Sequence, residues 1–284
     1  MIFTLIIFGY YDIIVMVIFV KISMIASGSK GNACYIESNN TKIIIDCGIS
    51  FKRIASFFNE RNIEMDIDAM LITHEHIDHV NGLKLFGKNI GSPVYMTSGT
   101  KEGIIEKYTK DGSSPIDYND IHIINNSSIF NINDIEITAI PLSHDVYDPI
   151  GFIVRDNNTK LVYITDTGYI PERYYEALSN ADIYVMETNH DPVLLMQCEK
   201  RPYETRIRIL GDKGHLSNDD ALELLAHIIG EKTKLVFYAH ISEECNLPDL
   251  IGASAKKTFS SHNMDVSNIK FIYTSQKSTE VFDI

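Results

Sequence analysis

Short apolar runs rich in β-branched residues alternate with polar turns along most of the chain. Runs of this length and composition predict buried strands. The first three, Lys21–Ala26, Ala33–Glu37 and Lys42–Asp46, are separated by turns rich in Ser, Gly and Asn, so they predict a meander. Further strands are predicted at Ala69–Thr73, Ser92–Met96, Ser128–Ile132, Ile135–Pro141, Ile150–Arg155, Lys160–Thr165, Ala181–Glu187, Lys234–Ala239 and Lys270–Tyr273, the last of the set.

Three segments have a helical pattern instead: Phe51–Arg61, Asn218–Ile229 and Pro248–His262. In the first, Ile54 and the pair Phe57-Phe58 share one face, as in a helix that packs on a core. Strands dominate, and no linker or repeat divides the chain. We therefore expect two packed sheets with helices outside, in one α/β domain, and ligands in loops at the strand ends.

Composition narrows the class of protein. The 284 residues are 45% hydrophobic and 22% charged, which is ordinary for a soluble domain. The four cysteines form no C-x-x-C pair, so we expect free thiols, a reducing compartment and a cytoplasmic location. The net charge of −13 argues against a broadly basic surface that coats nucleic acid. It does not exclude a nuclease, because bound cations make a metal site locally positive.

The first residues stand apart from this pattern. Met1–Val20 is strongly apolar, and its length approaches that of a membrane crossing. Asp12 near its middle would be costly in a bilayer. The alternative is a mis-assigned start, with translation beginning near Met16 or Val20. We favour that alternative, expect no stable membrane partner, and divide the chain into an extension at residues 1–19 and a hydrolase domain at residues 20–284.

The strongest chemical signal is His74-Glu75-His76-Ile77-Asp78-His79, which directly follows an apolar strand. Imidazole nitrogens and carboxylate oxygens are ligands for zinc and related divalent ions, and burying several ionisable groups together is expensive without metal. One such motif supplies too few ligands for two ions. Further candidates each follow an apolar run elsewhere in the chain: His144, Asp166 and His240.

This order of His-x-His-x-Asp-His, then His, Asp and His, resembles the metallo-β-lactamase superfamily. Asp46-Cys47-Gly48, after a strand, is similar to the early aspartate of that superfamily. The resemblance implies a four-layer αβ/βα sandwich with a binuclear metal site at the sheet edge. It also implies one metal held by His74, His76 and His144, a second held by Asp78, His79 and His240, and Asp166 as the bridge.

A narrower resemblance is to the YycJ/WalJ/VicX family of bacterial exonucleases, and it covers nearly the whole chain from Val20 onward. The motifs that carry it are Ala26–Asn32, Thr73–His76, Thr165–Tyr169, Glu187–Asp191 and Ile209–Asn218. It implies a metal-dependent phosphodiesterase, specifically a 5′-to-3′ DNA exonuclease linked to DNA repair, that uses hydroxide activated by two metal ions. Zn²⁺ and Mn²⁺ both suit a mixed His/Asp ligand set.

Two further residues are candidates for proton transfer. His215 is our candidate donor to the leaving oxygen, with Glu187 orienting it. The pairing resembles one in tRNA 3′-processing enzymes of the same superfamily. We expect Asp78 to be essential to catalysis, Asp46 to support a ligand histidine, and Glu75 to bind no metal.

Candidate substrate contacts are Ser29 and Asn32 in a glycine-flexible turn, His190, and the arginines Arg206 and Arg208. The arginines belong to a basic stretch from Arg201 to Lys213 that could contact a polyanion or form a solvated loop.

Several alternatives stay open. The same fold could hydrolyse a small ester, thioester or lactone, although such a substrate needs no basic stretch. The chain could also be an accessory protein of a two-component signalling system, although every expected ligand is present. The residues do not decide between DNA and RNA, between exonuclease and endonuclease, between zinc and manganese, or among oligomeric states.

Overall fold

Two seven-stranded sheets lie at the centre of the computed structural model, which describes residues 20–109 and 120–284. The strands of the first sheet lie in the order Phe282–Asp283 (β14), Lys21–Ala26 (β1), Ala33–Glu37 (β2), Lys42–Ile45 (β3), Ala69–Leu71 (β4), Val94–Met96 (β5) and Ile121–Ile123 (β6). Those of the second lie in the order Lys270–Tyr273 (β13), Leu235–Ala239 (β12), Ile183–Glu187 (β11), Lys160–Ile164 (β10), Ile150–Arg155 (β9), Ile135–Pro141 (β8) and Ile129–Ile132 (β7).

Each sheet has an antiparallel half and a parallel half. In the first sheet β14 to β3 pair antiparallel, whereas β3 to β6 pair parallel. In the second, β7 to β10 pair antiparallel and β10 to β13 pair parallel. Parallel strands end at one edge of their sheet, which is where open α/β sheets bind their ligands. This topology therefore gathers the segments after β3, β4, β10, β11 and β12.

Helices join the strands, and most of them cover the outer face of a sheet. They are Phe51–Glu60 (α1), Ile77–Val80 (α2), Leu83–Asn89 (α3), Ser98–Tyr108 (α4), Tyr175–Leu178 (α5), Pro192–Gln197 (α6), Tyr203–Leu210 (α7), Asn218–Ile228 (α8) and Pro248–Ser261 (α9). In α1 the Ser50 side chain caps the amino terminus, and the buried face is Ile54, Phe57 and Phe58. That face packs against the first sheet, while α5, α8 and α9 pack against the second.

The central core lies between the two sheets. Ile22 and Ile43 of the first sheet pack in one cluster with Phe152, Tyr163 and Phe237 of the second, and all are fully buried. The layers thus run helix, sheet, sheet, helix. This confirms the predicted αβ/βα sandwich.

The sequence located most strands to within two residues but missed shorter elements. The prediction that Lys270–Tyr273 is the last strand was wrong, because Phe282–Asp283 pairs with β1. Two residues are too few to show an alternating pattern. The basic stretch contains helix α7, not only loop, and α3, α4 and α6 were not expected. α3 and α6 are too short to show a helical period, and α4 has too few apolar residues to show one.

The interpretation of residues 1–19 falls outside the described part of the chain. Within residues 20–109 and 120–284, no helix combines the length and the apolar character needed to cross a membrane.

The edge strand β14 provides a test of the packing. Phe282 is 8% exposed, and its ring contacts that of Phe237, with centroids 5.4 Å apart. Phe282→Ala should lower the free energy of unfolding by about 3 kcal/mol, because it leaves a cavity against the central core. Denaturant unfolding would measure this, with the half-exposed Leu85→Ala as a control expected to change stability by less than about 1 kcal/mol. Equal losses in both variants would contradict the placement of β14.

Candidate metal centre

The predicted metal ligands come together at the edge of the sandwich, in segments that follow strands or, for Asp78 and His79, in α2. His74 lies close after β4, Asp166 follows β10 and His240 follows β12, while the predicted support Asp46 follows β3. Asp46, Asp166 and His240 adopt positive φ angles of 61°, 58° and 52°. Residues other than glycine rarely adopt this conformation, and where they do they often mark a functional site. Because of this left-handed turn, each side chain no longer follows the pattern in which successive side chains of a strand point to opposite faces of the sheet.

The side chains form two compact triads. The ligand atoms of His74, His76 and His144 lie within 4.8 Å of one another, and so do those of Asp78, His79 and His240. Asp166 groups with His74 and His79, so it lies between the triads. Either triad could hold a divalent ion, and these are the sets that the superfamily resemblance implied.

The histidine nitrogens show whether the residues fit a metal. One ring nitrogen of most of these histidines is already engaged. His79 Nδ1 donates to Asp46 Oδ2 at 2.7 Å, and His144 Nδ1 donates to the carbonyl of Gly214 at 3.0 Å. His74 Nδ1 lies 3.1 Å from the Thr73 hydroxyl, while its buried Nε2 has no hydrogen-bond partner among the described residues. Rings held at Nδ1 leave Nε2 as a ligand atom, so this donor set fits a metal ion.

Asp46 lies beneath the histidines. It is fully buried, and the Thr73 backbone N–H donates to its Oδ1 at 2.9 Å. The Thr73 hydroxyl lies 2.9 Å from Asp46 Oδ2, and the same carboxylate accepts from His79. The supporting contact expected of Asp46 is therefore present, and Thr73 extends it to His74.

Burial and neighbouring charges divide the histidines into two groups. Burial lowers the pKa of His76 to about 4 and that of His74 well below its usual range, so both are neutral and can offer a lone pair. Burial also opposes protonation of His240, but Asp166, Asp78 and Glu187 outweigh it and raise its pKa to about 10. A metal ion here would displace protons, because only unprotonated imidazole binds it.

Glu187 and His215 lie beside the triads. His215 Nδ1 donates to Glu187 Oε1 at 2.7 Å, and its ring centroid is 5.0 Å from that of His144. Burial would raise the pKa of Glu187, but His215 and His240 lower it to about 2, so the carboxylate is ionised. Its other oxygen accepts the backbone N–H of Thr167 at 2.8 Å. The predicted pair therefore exists and is fixed next to the candidate metal ligands.

The predicted substrate contacts are spread around this site. Ser29 is exposed in the turn after β1. His190 is 1% exposed, its pKa is lowered to about 4 by burial, and neither ring nitrogen has a hydrogen-bond partner among the described residues. Arg208 pairs with Asp145, the residue after His144, whereas Arg206 bonds to the carbonyl of Met196.

Asn32 has a different environment from the one expected. It is fully buried, accepts the Gly28 N–H at 2.8 Å, and places its amide nitrogen 3.2 Å from the Asp78 carbonyl and 3.0 Å from His79 Nε2. These contacts make Asn32 an internal support of the turn, because a buried amide with its bonds used inside has no face for substrate.

Glu75 is also internal. Its side chain is buried, bonded to Lys107 and to the Tyr147 backbone N–H, and it belongs to none of the groups that could hold a metal.

Sequence reasoning missed three supporting groups. The Thr73 hydroxyl and the Gly214 carbonyl fix the rings of His74 and His144. The Asn189 amide lies 3.2 Å from His240 Nδ1 and donates to the His240 carbonyl at 2.9 Å. All three residues lie within motifs of the family resemblance, namely Thr73–His76, Glu187–Asp191 and Ile209–Asn218, but nothing in those motifs marked them as supports. The role of a backbone carbonyl cannot be read from the residue type.

Comparison with known proteins agrees with this geometry. Residues 41–241 match the family model described as the beta-lactamase superfamily domain. The chain is 35% identical over 232 residues to exodeoxyribonuclease WalJ of Streptococcus pneumoniae, covering 81% of this chain and 84% of that protein. It is 33% identical over 236 residues to exodeoxyribonuclease YycJ of Bacillus anthracis, covering 83% and 87%.

Solved structures with little sequence identity share the fold. The metallo-beta-lactamase fold protein YhfI from Bacillus subtilis superposes with a TM-score of 0.66 at 16% identity, over 93% of this chain and 99% of that one. The short form of human tRNase Z does so with a TM-score of 0.60 at 13% identity, over 92% and 98%. From these matches and the strand-end histidines and aspartates, the chain belongs to the beta-lactamase superfamily, in the family of the bacterial exodeoxyribonucleases WalJ and YycJ.

Proposed function

We propose that this chain is a metal-dependent 5′-to-3′ DNA exonuclease that acts in DNA repair. The names of its relatives from Streptococcus pneumoniae and Bacillus anthracis support the activity and the choice of DNA. The single observation in the structure that carries the proposal is the Glu187–His215 pair beside the two triads. Hydrolysis of a phosphodiester needs a proton for the leaving oxygen, and this pair places a donor where the ligand residues converge.

Each set of residues has one task in this proposal. His74, His76 and His144 would hold one divalent ion, Asp78, His79 and His240 would hold the other, and Asp166, which groups with His74 and His79, would lie between them. Zn²⁺ or Mn²⁺ bound there would supply charge stabilisation for the phosphoryl group and a more acidic water. His215 delivers the proton to the leaving oxygen, and Glu187 keeps its ring oriented through Nδ1.

The surrounding side chains would position the strand. Arg208 lies next to the triad through its pair with Asp145, and Ser29 is exposed in the turn that packs on Asp78. Neither ring nitrogen of His190 has a hydrogen-bond partner among the described residues, and its neutral ring carries one N–H that could donate to a phosphate oxygen. We also place the protein in the cytoplasm. The four unpaired cysteines support a reducing compartment.

The hydrogen bond from the ligand His79 to Asp46 provides the first test of the metal site. Asp46→Asn keeps the side-chain shape and tolerates the positive φ, but it removes the charge that accepts from His79. We expect metal affinity to fall by about 10- to 100-fold, as for other partners of ligand histidines. Competition with a chromogenic chelator would measure it, with the exposed Asp265→Asn as control. Unchanged affinity would limit Asp46 to a structural role.

The two-metal assignment predicts loss of activity in Asp78→Ala, because the second triad then lacks its carboxylate. End-labelled single-stranded and duplex DNA would be incubated with Mn²⁺ or Zn²⁺ and wild type, Asp78→Ala or Asp265→Ala. We expect nucleotides to be released from the 5′ end by wild type and Asp265→Ala alone, with the circular dichroism of Asp78→Ala unchanged. Full activity in Asp78→Ala would reject the two-metal mechanism. No cleavage of any DNA by wild type would redirect the search to RNA, then to thioesters and lactones.

The proton-transfer role predicts a different outcome for His215→Ala. Turnover should fall by about 10²- to 10⁴-fold, the range for general acid–base groups, while both metals stay bound. The measurement pairs kcat with the metal content of the purified variant. His215 also lies in a group of Asp166, Glu187 and His240 whose ligand atoms could hold an ion. Loss of metal from the variant would therefore assign His215 to metal binding instead.

A further inference from the structure

Three exposed tyrosines flank the candidate metal centre. Tyr147 is 56% exposed and follows His144 by three residues, and Tyr169 is 46% exposed and follows Asp166 by three. Tyr203, 58% exposed, is the first residue of α7. We call these three the tyrosine rim. Within residues 20–109 and 120–284, the only other exposed tyrosine is Tyr273, on β13 and outside all the site motifs.

The segments that carry the rim are joined to one another. The Gly168 N–H donates to the Ser143 carbonyl at 2.8 Å, which links the loops of Tyr169 and Tyr147. A Cβ on Gly168 would lie 2.2 Å from the Asp212 carbonyl oxygen, so that loop packs directly on the backbone after α7. Arg208 of α7 pairs with Asp145. The three tyrosines therefore stand on segments that converge at His144 and Asp166.

Other apolar side chains are exposed on the same segments. Ile77 lies between His76 and Asp78 and is 51% exposed, and Ile207 and Leu210 of α7 are 44% and 40% exposed. Groups of exposed apolar side chains often mark a binding surface. These side chains stand on the segments that carry the candidate metal ligands, so the substrate is the molecule best placed to contact them.

Charge makes phosphate contacts a weak source of affinity here. The chain carries a net charge of −13, and two of the nearby arginines are already engaged. Arg208 is neutralised by Asp145, and Arg206 bonds to the Met196 carbonyl with its guanidinium 5.7 Å from the Tyr203 ring centroid. Aromatic rings hold bases by stacking, which requires no net positive charge and works with any base. Bases can stack on a protein ring only where they are unpaired.

We infer that the tyrosine rim stacks on unpaired bases behind the scissile end, so that the preferred substrate is DNA with a single-stranded end. This inference rests on the proposed nuclease function and adds the form of DNA that the site takes. The rings supply affinity that the acidic surface does not, and the stacked bases direct the terminal phosphodiester toward the triads.

The test separates binding from cleavage. Dissociation constants would be measured with the Asp78→Ala protein by fluorescence anisotropy, using a single-stranded oligonucleotide and a matched strand whose nucleotides behind the terminal one lack bases. We expect the abasic strand to bind about tenfold more weakly, the size of one base–aromatic stack. Adding Tyr147→Ala, Tyr169→Ala and Tyr203→Ala together should reduce that difference toward none. Tyr→Phe at the same three positions should preserve it, as should Tyr273→Ala.

The possible outcomes are distinct. Equal binding of the intact and abasic strands would show that the tyrosine rim does not stack on bases. The same result is expected if the rim binds a protein partner instead of DNA. A base dependence that survives alanine at all three rim positions would also overturn the inference. The comparison of the two strands needs no rim variant, so misfolding of a variant does not remove the test. Failure of the proposed nuclease function would be seen in a different measurement. The wild-type protein would then cleave no DNA, regardless of the dissociation constants.

Discussion

The structure depends on one constraint, which is that many ionisable side chains are buried together at the edge of two apolar sheets. His74, Asp166, Glu187 and His240 are all 3% exposed or less. Isolated buried charges cost far more than a protein's total stability, so every charge here must be balanced by a neighbour or by a bound ion. Without a bound ion, protonation provides this balance. The raised pKa of His240 keeps its ring protonated, and the lowered pKa of Glu187 keeps its carboxylate ionised. A divalent ion would replace those protons with a fixed charge.

The backbone bears part of the cost of this arrangement. Three residues of the centre, Asp46, Asp166 and His240, leave their strands in the left-handed conformation. Each such residue costs about 1 kcal/mol or more, and it persists only where the surroundings determine it. The two-sheet core supplies that support, because Tyr163 and Phe237 lie in the strands that precede Asp166 and His240. The rigid sheets thus stabilise the strained residues that follow the strands, and those residues position the ligand side chains.

A feature of the fold or the site can be predicted from the sequence when its signal lies within one short stretch of the chain. The His74–His79 cluster is contiguous, and His144, Asp166 and His240 each follow an apolar run, so the pattern made them candidates and the superfamily resemblance supplied their roles as ligands. Short elements such as Phe282–Asp283 carry no period and take their structure from pairing with β1. Asn32 was expected to face substrate because its turn is polar and glycine-rich. Whether such a residue points in or out depends on the packing against Asp78, and sequence pattern does not report that.

The acidic surface and the proposed polyanionic substrate are compatible if attraction is confined to the site. At physiological salt, charges about 8 Å or more from a phosphate are largely screened, so the net charge of −13 acts weakly at a distance. Close to the triads, two divalent ions would offset the carboxylates of Asp46, Asp78, Asp166 and Glu187, and a phosphate could bind the ions directly. The nearest phosphates are then attracted while the rest of the strand gains little. Such a protein needs a second, uncharged source of affinity to keep its substrate through successive cleavages, and exposed aromatic rings at the site's margin are the groups here that can supply it.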